Sequence, residues 1–284
     1  MPRPRTFALS THLFHGQRLT REHLRDIGAA GFGGIELVAT RTHFDYHSES
    51  STADLRGWLA QTGLSLETVH APIAETFTAG RLGEPLNLAS ADSARRQHAL
   101  DEATRALQIA RQLPFSTLVV HAGVPRTVQT ASGESSRDGA RRSIDALAAA
   151  AEPLGVRIAV EVIPNELSRT GSLVYFVEEV LEGRSVGICL DFGHAQLEGD
   201  LVDGIETVSE HLIAVHVHDN RGRTDDHMLP FEGGIDWPAA ITAMQKVGYD
   251  GAVTFEVAAR GPAKEQLARA RSARERIERL LAHF

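Results

Sequence analysis

Metal-binding side chains are concentrated in one segment of the chain, residues 215–234, which reads VHVHDNRGRTDDHMLPFEGG. The segment holds three histidines and three aspartates, and little in it would fill a core. Imidazole and carboxylate groups are ligands of divalent transition metals. The segment begins inside an apolar, strand-like sequence, LIAVHV. A metal site here requires matching groups from other elements that end near the same point.

Short apolar runs alternate with helix candidates along the whole chain. The runs are rich in Val, Ile and Leu and mostly apolar throughout, which is typical of strands buried on both faces of a parallel sheet. Strand followed by helix, eight times, predicts an α/β fold, the (β/α)8 TIM barrel, with a doubly wound open sheet as the alternative. The eight runs read TFALSTH, GIELVA, LSLETVHAP, TLVVHAG, VRIAVEVIP, VGICLDFGH, IAVHVHDN and AVTFEVA.

The domain organisation follows from the regularity of this pattern. No linker, charge block or low-complexity tract interrupts it, so we expect a single domain over residues 1–284. The most loop-like segment is TVQTASGESSRDG, residues 127–139, which is predicted to be a long connection after the fourth strand.

Composition limits the environment and the partners. The formal net charge is −8, with 37 acidic and 29 basic residues, which gives no global attraction to nucleic acid or to an anionic membrane, although a local basic groove is permitted. No apolar run is long enough to span a membrane. The N-terminal MPRPRTFALSTHL lacks the apolar core of a signal peptide, so we expect a cytoplasmic location. The one cysteine, Cys189, excludes an internal disulfide and is expected to be a buried thiol.

The carboxyl ends of the strands carry a polar residue in every case. In a barrel these ends meet at the face where active sites form. A single such residue is an ordinary rim residue, but eight converging imidazoles and carboxylates would repel one another or be desolvated unless a cation joined them. The pattern therefore predicts a divalent metal. The eight residues are His12, Glu36, His70, His121, Glu161, Asp191, His216 and Glu256.

Further candidate ligands and substrate contacts lie just beyond the strand ends. His194 follows Asp191 by three residues, and Asp225 and His227 form a D-x-H sequence in the connection after the seventh strand. Arg221 and Arg223 in the same connection are candidate substrate contacts, or else solvated loop charges.

Two neighbours of His216 are interpreted from strand geometry. His218 alternates with His216 and is expected to point to the opposite face. Asp219 is a candidate partner that orients an imidazole from outside the ligand set.

The motifs VEVIPN, LDFGHA, VHVHDN…DDHMLPFEGGIDW and TFEV occur in that order between Val160 and Val257. In this order they resemble the xylose isomerase-like TIM barrel superfamily, which includes sugar and sugar phosphate isomerases and epimerases as well as endonuclease IV. The resemblance covers essentially the whole chain. The ketose-epimerase branch implies one divalent metal, with the two glutamates as the acid/base pair. The positions that match its ligands are Glu161, Asp191, His216 and Glu256.

The endonuclease branch of the superfamily implies a trinuclear zinc site with nine ligands. All nine have a counterpart in this chain. Five ligands are added to the four above: His70, His121, His194, Asp225 and His227.

Departures from the endonuclease pattern favour the sugar branch. The first strand reads STHLFHGQ where that branch has a motif like HVSAAGG, and ATRTHFDYH after the second strand lacks a basic and aromatic cluster. DDHMLPFEGGIDW is more similar to the isomerase form. The favoured hypothesis is a metal-dependent sugar or sugar phosphate isomerase or epimerase with Glu161 and Glu256 as acid and base. The expected substrate contacts are His194, Arg221, Arg223, His12 and Glu36.

The expected cofactor is one to three ions of Zn, Mn or Co, with Mg less suited as the number of imidazoles rises. The expected partner is a small sugar or polyol rather than nucleic acid. A homodimer contact through the charged last helix is left open. Three alternatives also remain: a polyol dehydratase with the same base and metal, a trinuclear-zinc phosphodiesterase acting on abasic DNA or another phosphate ester, and a non-catalytic sensor or assembly factor.

Overall fold

Eight parallel strands close into a barrel in the computed structural model, which describes residues 5–128, 135–181 and 185–282. Each strand pairs with the next in sequence, and the last pairs with the first through Phe7 and Val253. The predicted TIM barrel is thus confirmed over the open sheet. The strands are β1 Phe7–Ser10, β2 Gly34–Val38, β3 Ser65–His70, β4 Thr117–His121, β5 Arg157–Glu161, β6 Val186–Asp191, β7 Leu212–Val217 and β8 Val253–Phe255.

Helices follow the strands and surround the barrel. All eight predicted helices form, and the described residues include one more, which begins directly after β6. They are α1 Arg21–Ala29, α2 Glu49–Thr62, α3 Ser93–Leu107, α4 Arg137–Ala151, α5 Thr170–Tyr175, α6 Phe192–Glu198, α7 Leu201–Thr207, α8 Trp237–Lys246 and α9 Ala263–Leu281.

Local sequence signals explain where several helices begin and end. The Asp92 carboxylate accepts hydrogen bonds from two backbone N–H groups at the start of α3. Gly63 ends α2 with φ 69°, a conformation that favours glycine. Asp191 caps α6 by accepting from His194 N–H at 2.7 Å, which holds the first turn of that helix against the end of β6.

Two apolar clusters show how the strands are oriented. The larger cluster packs the helices against the outward side chains of the strands, for example Leu118 and Leu190. A small separate cluster of Val119, Ala159, Cys189 and Ala214 lies inside the barrel. Side chains alternate along a strand, so residues two positions further on also point inward. This parity directs the strand-end residues into the mouth of the barrel.

Connections at the carboxyl ends of the strands build the rim of this mouth. The connection after β3 contains a short antiparallel hairpin, Phe77–Thr78 with Arg81–Leu82. Its Phe77 ring stacks on His15 with ring centroids 4.4 Å apart. Residues 129–134 of the predicted long connection after β4 lie outside the described part of the chain. Within the described part, no helix is both long and apolar enough to cross a bilayer.

Candidate metal centre and active site

Four buried side chains converge at the mouth of the barrel and form the group that we call the central cluster. One ligand atom from each lies within 4.8 Å of the ligand atoms of the other three. They come from the ends of four consecutive strands, so the barrel itself holds them at this separation. The central cluster consists of Glu161, Asp191, His216 and Glu256.

His216 is oriented by a residue that lies behind it. Its Nε2 donates to Glu36 Oε2 at 2.8 Å, and Thr68 Oγ1 donates to the same oxygen at 2.8 Å. Nε2–H is thereby committed to Glu36, so Nδ1 faces Glu161 Oε1 at 3.1 Å and Glu256 Oε2 at 3.4 Å, where it donates when protonated and offers its lone pair to a metal when the proton leaves. A carboxylate that accepts the outer N–H of a histidine is the usual support of a metal-binding imidazole.

The donor set of the central cluster fits one divalent cation. It brings three carboxylates together in a buried volume, where unbalanced negative charge is costly. The Oδ2 atom of Asp191 is buried and has no hydrogen-bond partner among the described residues. Mixed nitrogen and oxygen donors suit Zn, Mn or Co.

The two glutamates of the central cluster, Glu161 and Glu256, are held in their ionised form. Burial alone would raise the pKa of Glu161, but the charges and hydrogen bonds of His216 and His121 outweigh burial and hold that pKa well below its ordinary value. Burial would likewise raise the pKa of Glu256, and His216 and His227 lower it well below the ordinary value. Anionic carboxylates are the form that binds a metal and accepts a proton.

A second group lies beside the central cluster and shares Glu161 with it. His70 Nε2 and His121 Nε2 lie 3.0 and 2.9 Å from Glu161 Oε2. His70 Nδ1 donates to the carbonyl of Ala71 at 2.8 Å, which turns its Nε2 toward the carboxylate. This arrangement gives two imidazoles and one carboxylate oxygen that are able to hold a further ion.

A third group consists of His194, Asp225, His227 and, unexpectedly, His218. His194 Nε2 and His227 Nε2 lie 3.0 and 3.2 Å from Asp225 Oδ2. The prediction that His218 faces away from the site is wrong: it is fully buried, and its ring stacks on His227 with centroids 4.0 Å apart. Side chains two positions apart along a strand point to the same face, so His218 continues the inward direction of His216 just beyond the end of β7 at Val217.

The loop that carries Asp225 and His227 is anchored by Asp219. Its carboxylate accepts from the backbone N–H groups of Asn220, Phe231 and Ile235 and from Trp237 Nε1 at 2.9 Å. Asp219 also pairs with Met228 as an antiparallel bridge. Asp219 therefore holds the loop together and contacts no imidazole of the clusters, contrary to its predicted role.

A cavity of about 570 Å³ opens onto the three groups. Glu161 and Glu256 line its floor, while Ile73 and Leu82 contribute apolar side chains. The volume lies within the range of pockets for small ligands.

Only three of the five predicted substrate contacts line this cavity. His12, His194 and Arg223 line the cavity. Glu36 does not, because it lies behind His216, and Arg221 is exposed and is not part of the lining. Their functional roles stay predictions, but the structure moves Glu36 from the substrate side to the supporting side of His216.

Two basic residues of the lining, His15 and Arg126, were absent from the predicted site. His15 lies one helical turn beyond His12, and its Nε2 lies 2.8 Å from Thr40 Oγ1. Arg126 follows β4 by five residues and forms ion pairs with Glu198 and Glu166. The only signal in the sequence was their position after a strand end.

His12 and His15 are neutral groups in the cavity wall. Burial lowers the pKa of His12 to about 4 and that of His15 to about 3. His12 Nδ1 also lies 3.3 Å from the Val257 carbonyl, which accepts its proton. Uncharged imidazoles in this wall suit hydrogen bonding to hydroxyl groups better than ion pairing with an anion.

Comparison with known proteins agrees with this architecture. An uncharacterised protein of Methanocaldococcus jannaschii is 26% identical over 257 residues, which cover 88% of this chain and 83% of the relative. Fructoselysine 3-epimerase of Escherichia coli O157:H7 is 25% identical over 277 residues, covering 93% of this chain and 95% of the enzyme. The crystal structure of a D-tagatose 3-epimerase-like protein superposes with a TM-score of 0.81 at 22% identity, over 98% of each chain.

Sugar epimerases and isomerases are thus among the homologues of this protein. The sequence matches the family described as xylose isomerase-like TIM barrel over residues 24–282, which confirms the resemblance read from the four motifs. This protein belongs to the xylose isomerase-like TIM barrel family.

Proposed function

We propose that this protein is a divalent-metal-dependent epimerase or isomerase of a small keto sugar or sugar phosphate. The observation that carries the proposal is the placement of Glu161 and Glu256. Both belong to the central cluster, and both line the cavity. The epimerases among the homologues support the same class of reaction.

The two glutamates approach the cavity from different sides. Glu161 ends β5, whereas Glu256 follows β8, and two strands separate them in the barrel. A substrate carbon between them has one carboxylate on each face. One glutamate accepts the proton from the carbon next to the carbonyl, and the other returns a proton to the opposite face, which inverts the carbon.

The remaining residues hold the substrate in position for this transfer. A divalent ion, when bound to the central cluster, would supply Lewis-acid stabilisation of the negative charge that develops on the carbonyl oxygen. Glu36 keeps His216 oriented toward that charge. His12 and Arg223 face the rest of the sugar from the cavity wall, where Arg223 has no ion-pair partner among the described residues.

The first experiment is proton exchange in heavy water with a panel of ketoses and ketose phosphates, after loading with Zn, Mn or Co. We expect the 3-epimer or the aldose to appear with deuterium at the carbon next to the carbonyl. Glu161→Gln and Glu256→Gln should each lower kcat by about 100-fold or more, the typical contribution of acid–base catalysis. Glu232→Gln is the matched control, because Glu232 pairs with Arg269 outside the cavity lining. Absence of exchange with every metal and every sugar would contradict the proposal.

A second candidate function is favoured by the three adjacent ligand groups. A single-metal epimerase uses only the central cluster, whereas a trinuclear phosphodiesterase would use all three groups. This alternative predicts close to three zinc ions per chain and cleavage of an abasic DNA duplex or of another phosphate ester. Failure of the zinc-loaded protein to cleave the abasic duplex would remove the DNA version.

A further inference from the structure

The lining of the cavity is divided into a polar and an apolar part. Strands β7, β8 and β1 and the connections after them contribute mainly polar side chains, such as Arg223, Asp225, Glu256 and His12. Strands β2 to β6 contribute ligand groups at the strand ends, but the residues beside and beyond those groups are mostly apolar. They include Val38, Ile73, Leu82, Pro125, Pro164 and Leu197.

Three of these apolar side chains lie opposite the proposed reaction centre, and we call them the apolar wall. The central cluster comes from strands β5 to β8, whereas β2 and β3 lie across the closed barrel from β6 and β7. The end of a substrate that is remote from its carbonyl therefore faces the apolar wall. The apolar wall consists of Val38 at the end of β2 and of Ile73 and Leu82 in the connection after β3.

Leu82 presents apolar surface to the cavity from a fixed position. It is 43% exposed, and in the described part of the chain only one other large apolar residue, Tyr175, is exposed. The hairpin that carries Leu82 is anchored through Phe77, whose carbonyl accepts from Thr42 Oγ1 at 3.1 Å and whose N–H donates to the same oxygen at 2.9 Å. The Phe77 ring also stacks on His15. The apolar wall is thus part of a preformed pocket, as is usual for sites that bind small ligands.

The charges near the apolar wall do not suit a phosphate group. Among the described residues that β2 to β6 and their connections contribute to the lining, Arg126 is the one lysine or arginine. Its guanidinium pairs with Glu198 and lies 3.8 Å from Glu166, and Glu198 also lies 2.7 Å from Arg169. Two arginines and two glutamates thus balance one another, and the imidazoles on the β1 side are neutral. An anion at this end of the cavity would be desolvated without a free cationic partner.

The size of the cavity leaves room for more than a simple sugar. A six-carbon sugar has about 12 non-hydrogen atoms, and at the about 30 Å³ that each water molecule occupies in the liquid it would displace roughly 360 Å³ at most. The cavity has about 570 Å³. A substituent of several carbon atoms therefore fits beside the sugar.

We propose that the substrate is an uncharged keto sugar with an apolar substituent, an alkyl or aryl group, at the end remote from its carbonyl. Ile73 and Leu82 of the apolar wall bind this substituent, while the polar part of the lining binds the sugar hydroxyl groups. The inference rests on the proposed function, because it takes the carbonyl to lie at the central cluster.

The test measures by calorimetry how straight-chain 1-hydroxy-2-alkanones of four to eight carbons bind to the metal-loaded protein. Each compound keeps a carbonyl with an adjacent hydroxyl and differs only in the length of its apolar tail. Dihydroxyacetone and dihydroxyacetone phosphate are the uncharged and charged polar comparators. Leu82→Ser and Ile73→Ser shorten the apolar wall at two separate points, so one variant decides the question if the other does not fold. Tyr175→Ser is the matched control, because it removes an exposed apolar side chain outside the cavity lining.

We expect the affinity of the wild type and of Tyr175→Ser to rise by about threefold for each methylene group that the tail adds, as burial of apolar surface requires. The rise should fall below about twofold per methylene group in Leu82→Ser and Ile73→Ser. An affinity that does not depend on tail length, or the same dependence in all four proteins, would overturn the proposal. Tighter binding of dihydroxyacetone phosphate than of the longest alkanone would also overturn it.

Binding and proton exchange give separate results for the substituent and for the reaction. Exchange of the sugar panel in heavy water, together with alkanone binding that ignores tail length, refutes the apolar substituent and retains the proposed reaction. Tail-dependent binding that is lost in Leu82→Ser, without exchange of any sugar, retains the apolar binding site and refutes the proposed reaction.

Discussion

Replacement of Glu36 by Gln separates two roles that the sequence and the structure give to this residue. The sequence suggested a substrate contact, whereas the structure places the fully buried carboxylate against His216 Nε2 at 2.8 Å. Glutamine keeps the shape of the side chain and one acceptor oxygen but removes the negative charge. If Glu36 supports His216 as a metal ligand, the substitution should weaken metal binding.

The magnitude follows from the place of Glu36 behind the ligand. Loss of an outer partner of a metal-binding histidine costs about 10- to 100-fold in metal affinity, or about 1.4–2.8 kcal/mol. Glutamine still accepts from His216 and Thr68, so the metal-free fold should be retained, although loss of the buried ion pair with His216 lowers its free energy of unfolding. A lower metal affinity in protein that urea unfolding shows to be folded is therefore the expected signature.

The assay is competition for Zn or Mn against a chelator of known affinity, with urea unfolding of the metal-free protein beside it. Glu67→Gln is the matched control, because Glu67 lies on β3 close to Gly34 but bonds Ser65 away from the cluster. Metal affinity within about twofold of the wild type, together with a raised KM for the sugar, would refute the structural role. It would restore the substrate contact suggested by the sequence.

Three further predictions concern the loop and the rim. Arg223→Ala should raise KM in steady-state kinetics by about tenfold or more with unchanged metal content, because a charged hydrogen bond to the substrate is lost. Arg221 lies outside the cavity lining, so Arg221→Ala is the control and should change KM by less than about twofold. Asp219→Ala leaves four N–H donors, three of them in buried hydrogen bonds, without their acceptor and should lower the free energy of unfolding in urea by about 3–5 kcal/mol. Exposed Asp101→Ala is the control and should lower it by less than about 0.5 kcal/mol. Burial lowers the pKa of His43 from 6.5 to about 4, so the unfolded chain binds the proton more readily and stability falls as the pH drops from 6.5 toward 4. This loss amounts to about 2 kcal/mol at pH 5; a stability profile for His43→Gln as steep as that of the wild type would contradict the assignment.

Strand patterning accounts for much of what could be predicted. The apolar runs define eight strands, and the period of two along each strand places residues such as Glu161 and Asp191 inside the barrel, two positions beyond the interior Ala159 and Cys189. Parallel strands bring their carboxyl ends to one face, so convergence of the ligands follows from order along the chain. The motif order also identified the family, which the match over residues 24–282 confirms.

The alternation of side chains along the strands also explains which parts of the site could not be predicted. Along a strand the backbone ladder dictates the direction of each side chain, but beyond the last paired residue the direction depends on contacts distant in sequence. His218 keeps the inward direction of His216, two positions before it, but the room for its ring is left by Gly193, which is distant in sequence. Arg126 reaches the cavity wall beside Glu198, seventy-two positions away.

By itself, the sequence determined the barrel, the end of the barrel where polar residues converge and the eight strand-end residues, because these depend on local periodicity. The resemblance to the family then selected the four residues of the central cluster from those eight. Only the tertiary structure decided which residues lie behind the candidate ligands and which residues line the cavity. It placed Glu36 behind His216 and outside the cavity lining, brought His218 into the third group, and put Arg223 but not Arg221 on the cavity wall. Those choices depend on loop paths and buried contacts between distant segments, which no local pattern encodes.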